Sequence, residues 1–166
     1  MDGILGRIVA IVLGLLALVG IAYAGYNGFQ SHNAGVVATN IAQLITNARA
    51  GFSQGNNGYT NFTTANVPAM VTGGMFPTDM VRGTTLFDPW GNAMTLSAAN
   101  AGSQGVIRFG GGGAQTAKQC VSTATGLKDY VSLVVGTTTF TQASLPDQAT
   151  AGSACSATAT FTLTFQ

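Results

Sequence analysis

Residues 8–23 read IVAIVLGLLALVGIAY, and residues 31–52 read SHNAGVVATNIAQLITNARAGF. The first stretch carries no charge and, extended back to Ile4, is just long enough for a membrane-spanning helix, which takes about 20 residues. In the second stretch the apolar residues recur at the three- and four-residue spacing of an amphipathic helix: Val36, Val37, Ile41, Leu44, Ile45, Ala48 and Phe52. Together the patterns predict one helix of about 50 residues, ending near residues 49–51, whose second half packs on a domain.

Two other interpretations of the apolar stretch stay open. A signal peptide would be cleaved at the small residues of Ala22-Tyr23-Ala24, although Asp2 precedes the core and Arg7 is the only basic residue there. A plain membrane anchor would be joined by a linker to a separate helix of the domain, although no basic cluster follows Tyr23.

Polar and small residues complete the description of the long helix. Ser31, Asn33, Asn40, Gln43 and Asn47 are expected on faces other than the apolar stripe. Each glycine inside a helix costs about 1 kcal/mol relative to alanine, yet small residues let neighbouring helices approach closely. We therefore predict that Gly14 and Gly20 give the helix flexibility and allow part of it to unwind when copies of the chain replace lipid.

The rest of the chain predicts mostly strands. Residues 158–165 read TATFTLTF, a strict alternation that predicts a half-buried antiparallel strand with Phe161, Leu163 and Phe165 on one face. Further strands are expected over residues 94–98, 106–109 and 130–135, with 137–141 extending or pairing with the last. A long helix followed mainly by strands indicates an α+β fold, in which the N-terminal α-helix packs on an antiparallel β-sheet.

Turns and shorter helices connect these strands. Asp88-Pro89-Trp90-Gly91-Asn92 is a strong turn signal, and residues 100–105 form the turn of a hairpin. A short helix is expected over 65–72 with Pro68 in its first turn, and a longer one over 114–127. Residues 145–156 are predicted to form a polar loop.

The two cysteines, Cys120 and Cys155, lie in no CxxC motif and no Cys/His cluster, so the pattern does not favour zinc. We interpret them as a disulfide that closes the C-terminal region in an oxidising compartment, with two free buried thiols as the alternative.

Composition excludes several classes of function. Six basic residues, five acidic residues and one histidine give a net charge of +1, which provides no electrostatic footprint for nucleic acid. His32 is the only imidazole, and no cysteine or carboxylate near it in sequence completes a triad, so it is expected to face solvent or an interface. The run Gly110–Gly113 lacks a following Gly-Lys-Ser/Thr and is a turn, not a phosphate loop. We predict no catalytic residue, cofactor or metal, and no enzyme activity.

Three short segments carry a resemblance to a known family. Residues 79–85 (DMVRGTT), 88–92 (DPWGN) and 120–122 (CVS), set within the whole-length plan, resemble the major pilins of type IVb thin pili, which include pilins of conjugative systems. The resemblance implies a membrane and filament-core helix over 1–30 and a head over 31–166. The head divides into an amphipathic helix 31–52, an α/β connection 53–88, and the sheet with the C-terminal disulfide region 89–166. The implied core residues of the filament are Ile8, Val12, Leu15, Leu16 and Val19.

The function implied by this resemblance is that of the major structural subunit of an extracellular type IV pilus. Such a filament mediates attachment between cells, including the stabilisation of mating pairs in conjugation. The implied partners are further copies of the chain, the inner membrane before assembly, a prepilin peptidase and the pilus assembly machinery. The alternatives are a pseudopilin of a secretion system and a secreted protein, such as a hydrolase, with a signal peptide.

The sequence departs from the family pattern at its N-terminus. Most type IV pilins carry glutamate at the fifth mature position, whereas Leu5 stands here and the chain contains no glutamate. We expect Met1 to be the first residue of the processed chain, and Asp2, with Arg7 of a neighbouring copy, to supply the N-terminal charges of assembly. A buried ion costs several kcal/mol unless it is paired, so neither charge is expected to be buried alone.

Overall fold

The computed structural model describes the backbone of residues 2–166 and the side chains of residues 11–13, 15–16 and 32–166. One uninterrupted helix, α1 (Asp2–Phe52), opens the fold. The prediction of a single long helix is therefore confirmed, and the interpretation with an anchor, a linker and a separate helix is wrong. The boundary placed at residue 30 lies within this helix.

In residues 2–166, seven strands form two antiparallel sheets. A two-stranded ribbon comprises β1 (Val81–Arg82) and β2 (Thr85–Leu86), whose connection contains Gly83 with a φ of 64°. The main sheet comprises β3 (Thr95–Ala99), β4 (Gln104–Gly110), β5 (Ser132–Val135), β6 (Thr138–Thr141) and β7 (Thr160–Phe165). Its order is β3-β4-β7-β5-β6, so the last strand of the chain occupies the centre. The strands expected from sequence are confirmed, and residues 138–141 pair with β5.

Side-chain alternation gives the main sheet an apolar inner face. Ile107, Leu163 and Leu133 lie opposite one another across the three central strands and are fully buried. The rings of Phe109 and Phe161 stack with centroids 4.8 Å apart. These residues join the buried face of α1 in one core: Val37, Ile41, Leu44, Ile45 and Ala48. Each large apolar side chain that is fully buried contributes roughly 1.5–3 kcal/mol, so this helix–sheet contact positions α1 on the head.

Three shorter α-helices follow α1 in the described chain. They are α2 (Val67–Thr72), α3 (Ala117–Gly126) and α4 (Gln148–Ala154). Pro68 lies in the first turn of α2 as predicted, and α3 begins with a capping box between Thr116 and Gln119. The helix α3 packs beside α1 and is also in contact with α4.

The polar loop predicted over 145–156 is wrong for its central residues, because they form α4. The carboxylate of Asp147 accepts hydrogen bonds from the backbone N–H groups of Ala149 and Thr150, at 2.9 and 2.7 Å. In return, the hydroxyl of Thr150 accepts a bond from the N–H of Asp147 at 3.0 Å. This reciprocal cap satisfies free N–H donors of the first turn. The segment has few apolar residues, so its apolar pattern does not reveal the helix.

A disulfide joins the α3 residue Cys120 to Cys155, the residue that follows the end of α4. The two Cα atoms lie 5.6 Å apart, and 35 positions separate the residues in sequence. The predicted disulfide is confirmed, and the alternative of two free thiols is wrong.

Candidate functional site

An apolar surface on the first half of α1 is exposed. Its described members are Ile11, Val12, Leu13, Leu15 and Leu16, each with between 48% and 63% of its surface accessible. Large exposed apolar surfaces of this kind mark interaction sites. Of the implied filament-core residues, Val12, Leu15 and Leu16 thus lie on this surface.

Other predicted residues of this half fall outside the described side chains. These are Asp2, Arg7, Ile8, Gly14, Val19 and Gly20, and Met1 lies outside the described residues altogether. Among the described residues, no helix combines the length and the apolar character needed to traverse a membrane.

The second half of α1 is attached to the head by three polar side chains as well as by its apolar stripe. The amide of Asn40 donates to the Asp79 carboxylate at 2.7 Å, and that of Asn47 donates to the carbonyl of Met75 at 2.8 Å. Arg49 Nε donates to the main-chain oxygen of Gln166 at 2.7 Å. These bonds connect the helix to the segment before β1 and to the end of β7.

The position of Asn40 corrects the sequence analysis. This residue is buried on the apolar side of α1, not on another face. It follows Val37 by three residues and precedes Leu44 by four, so the helical period itself places it in the stripe. The burial of its amide is compensated because Asp79 accepts the hydrogen bond.

His32 is exposed and lies with Val36, Thr39 and Asp79 around an open groove of about 390 Å³ on α1. Among the described side chains, no cluster of three histidine, cysteine or acidic residues forms a metal site.

A buried carboxylate organises the turn signal of residues 88–92. Asp88 is 2% exposed and accepts hydrogen bonds from the N–H groups of Trp90, Asn92 and Gly110, at 3.0, 2.8 and 3.0 Å. Its second oxygen also accepts a bond from the Asn92 side-chain amide at 2.9 Å. Sequence reasoning identified this turn and the glycine run as two separate turns. Their junction through Asp88 depends on the pairing of distant strands and was missed.

Burial and capping shift three pKa values. Desolvation raises the pKa of Tyr59 from its ordinary value, and the positive charge of Arg49 partly opposes this rise. Burial likewise raises the pKa of Tyr130. The pKa of Asp147 is lowered, first by the hydrogen bond from the Thr150 backbone and then by that from its hydroxyl. All three groups are part of the head, where they affect stability.

Comparisons with known proteins agree with this architecture. A family model described as "PilS N terminal" matches residues 31–166. The crystal structure of a type IV b pilin from Salmonella typhi is similar, with a TM-score of 0.59 and 18% sequence identity, over 84% of this chain and 99% of that chain. At 18% sequence identity, the similarity between the two structures shows a shared fold. No curated protein sequence matches the chain.

Proposed function

Because this chain belongs to the PilS N-terminal family and is a type IVb pilin, a non-enzymatic subunit of a pilus, we propose that it is the major subunit of a filament that attaches cells to one another. We further propose that this attachment includes the stabilisation of mating pairs during conjugation. The observation that carries the proposal is the exposed apolar surface of residues 11–13 and 15–16 on a helix continuous with the head.

That surface requires an apolar environment at every stage. Exposure of apolar area to water costs about 25 cal/mol per Å², so a helix with several exposed leucines does not stay solvated. We propose that lipid of the inner membrane covers it before assembly, after a prepilin peptidase has processed the chain. The assembly machinery then transfers the subunit to the filament, where the helices of other copies replace the lipid.

The contact between copies is of the head-to-tail kind. A surface on one part of a subunit that packs against a different part of the next does not close on itself, and repetition of the contact gives a fibre. Because the buried face of α1 packs on the inner face of the main sheet, the outer face of the sheet points away from the helix. The heads then form the wall of the filament around a core of helices.

The test begins with a charge placed on the apolar surface. Cells with Leu16→Asp are expected to lose surface filaments, as seen by negative-stain electron microscopy of a sheared surface fraction. Leu145→Asp is the matched control, because Leu145 is also exposed but lies in the head. It is expected to leave the filaments intact. The intact mass of the predominant sheared protein should identify this chain as the major subunit.

Attachment is measured separately, by cell aggregation and by the frequency of conjugation in liquid. Loss of both with the filaments supports the proposed role. Filaments that persist in cells lacking this chain contradict major-subunit status, and normal attachment without filaments contradicts the adhesive role. A short fibre confined to the periplasm indicates a pseudopilin instead.

A further inference from the structure

A hollow of about 430 Å³ with a mixed polar and apolar lining lies at one corner of the main sheet, where β3 begins and β4 ends. Its polar side chains are those of Asn92, Thr95, Arg108 and Thr160, and Ala93, Phe109 and the glycines at 110–112 complete the lining. The volume falls within the range of roughly 300–1,000 Å³ that is usual for small-molecule sites. No residue of α1 lines this hollow, so it is distinct from the exposed apolar surface on the first half of α1.

The walls of the hollow are held by the buried carboxylate of Asp88. This group binds both nitrogens of Asn92 on one wall and the N–H of Gly110 on the other. One N–H of the Asn92 side-chain amide is donated to Asp88, and its amide oxygen is the acceptor of this side chain. The hydrogen bonds fix the turn before any ligand arrives, which reduces the entropy lost on binding.

Glycine is required on the opposite wall. A Cβ atom on Gly112 would overlap Oδ1 of Asn92, and a Cβ on Gly111 would lie 2.5 Å from Cγ2 of Thr160. Gly111 also has a φ of 86°, a conformation that side chains rarely adopt. The glycine run therefore lets two loop walls approach closely while the space above the sheet stays open.

Arg108 supplies the charge of the hollow. Its side chain is exposed, and within the described part of the chain its guanidinium has no hydrogen bond or ion pair. It lies opposite Thr95 in the sheet register. The charge of Asp88 is already compensated by its four N–H donors, whereas that of Arg108 is uncompensated.

We infer that this hollow binds an acidic saccharide of a cell surface, with Arg108 on the sugar carboxylate and the polar walls on its hydroxyls. A guanidinium binds a carboxylate through two parallel hydrogen bonds. The hydroxyls of Thr95 and Thr160 both donate and accept, and Oδ1 of Asn92 accepts, which matches the alternating hydroxyls of a sugar ring. A uronic acid carries both the carboxylate and the hydroxyls on a single sugar ring.

This inference rests on the proposed attachment function and names its ligand class. The hollow opens on the side of the sheet that faces away from α1. A filament therefore presents one such hollow per subunit along its wall. A weak individual site then gives strong attachment, because many copies bind one surface at once.

Binding is tested first on the full-length chain in detergent micelles. The probes are D-glucuronate and a hyaluronan tetrasaccharide, with D-glucose and acetate as controls. The single tryptophan, Trp90, lies two residues from Asn92 and reports binding by its fluorescence; saturation-transfer NMR provides a second readout. We expect both uronate probes to bind at least tenfold more tightly than glucose or acetate. Equal binding of acetate would reveal an anion site only and overturn the saccharide assignment.

The decisive variant is Arg108→Gln, which keeps a polar side chain and removes the charge. It is expected to weaken uronate binding at least tenfold, and Arg108→Lys to weaken it less. Arg82→Gln is the matched control, because Arg82 is exposed elsewhere, over the Phe87 ring. Its binding should equal that of the parent chain. Unchanged uronate binding by Arg108→Gln would overturn the inference.

Filaments separate this inference from the proposed function. Arg108→Gln cells are expected to make filaments of normal number that attach poorly to cells coated with acidic polysaccharide. Normal attachment by these filaments overturns the saccharide site and leaves the filament role standing. Loss of the filaments themselves would assign Arg108 to a contact between copies and would also overturn the inference.

Discussion

The side-chain amide of Asn40 donates a hydrogen bond of 2.7 Å to the carboxylate of Asp79, which fastens the long helix to the segment before β1. Asn40 is 8% exposed, and Asp79 lies at the surface. The pair is therefore a polar connection at the edge of an apolar contact, where a missing partner leaves a buried donor unsatisfied.

Removal of the acceptor should destabilise the head. We expect Asp79→Ala to lower the free energy of unfolding by about 1–3 kcal/mol, because the Asn40 amide then stays buried without a partner. Urea denaturation of the full-length chain in micelles, followed by Trp90 fluorescence, measures the change. Thr78→Ala is the control at a neighbouring exposed position. Equal stability of the two variants would show that the bond contributes nothing.

The fold could be predicted largely from local patterns. The apolar spacing of residues 36–52 and the alternation of residues 160–165 each mark one buried face. Side chains return to the same face about every 3.6 residues in a helix and every 2 residues in a strand, so each pattern reveals its element. The polarity of Asn40 predicts a solvent-facing position, whereas its place in that period puts it in the buried stripe. The helix α4 was missed because only Ala151 is buried in it, and a reciprocal cap specifies it instead.

The candidate sites were less accessible to sequence reasoning. The apolar surface of α1 follows from composition alone. The hollow beside Arg108 depends on strand register, which brings residues 92, 108 and 160 together across long separations. Register is set by tertiary packing, so a single sequence indicates the turns but not which of them meet.

Loss of the disulfide should destabilise the head more than loss of one hydrogen bond. Because it closes a loop of 35 positions, the chain-entropy estimate predicts that Cys120→Ala with Cys155→Ala lowers the free energy of unfolding by about 3–4 kcal/mol. Reduction of the parent chain with dithiothreitol should reproduce this loss, whereas the double variant should not respond to dithiothreitol. A double variant as stable as the oxidised parent would contradict the estimate.

The cap of α4 should make stability depend on acid. The pKa of Asp147 is lowered from its ordinary value of 3.8, so its unfolded form binds protons at a higher pH than the folded form does. Its contribution is present above pH 3.8 and is lost as the pH falls through the lower folded pKa. Asp147→Asn keeps one acceptor oxygen but does not titrate.

The stability difference between the parent chain and Asp147→Asn should therefore shrink as the pH falls below 3.8. Thermal unfolding followed by circular dichroism across this range measures it. Asp129→Asn serves as the control, because within the described chain its carboxylate accepts no hydrogen bond. A difference that stays constant with pH would remove Asp147 as the source of the dependence.

The hydroxyl of Tyr59 should make stability fall at high pH, whereas the carboxylate of Asp147 makes it fall at low pH. Its ring packs edge-on against Phe165 with centroids 5.2 Å apart, and its hydroxyl is buried with no hydrogen-bond partner among the described residues. Burial raises its pKa above 10.0, so the unfolded chain loses the proton first and stability falls as the pH rises beyond that value.

Tyr59→Phe should consequently be unusual among core substitutions. Removal of a bonded tyrosine hydroxyl normally costs about 1 kcal/mol, whereas here we expect equal or greater stability at neutral pH, because an unpartnered polar group leaves the core. Above pH 10.0 the variant should lose less stability than the parent chain. Tyr130→Phe should behave alike, since burial also raises the pKa of Tyr130 and its hydroxyl has no described partner. Urea denaturation at neutral and alkaline pH decides the matter, and a clear loss at neutral pH would mean that these hydroxyls are hydrogen-bonded in solution.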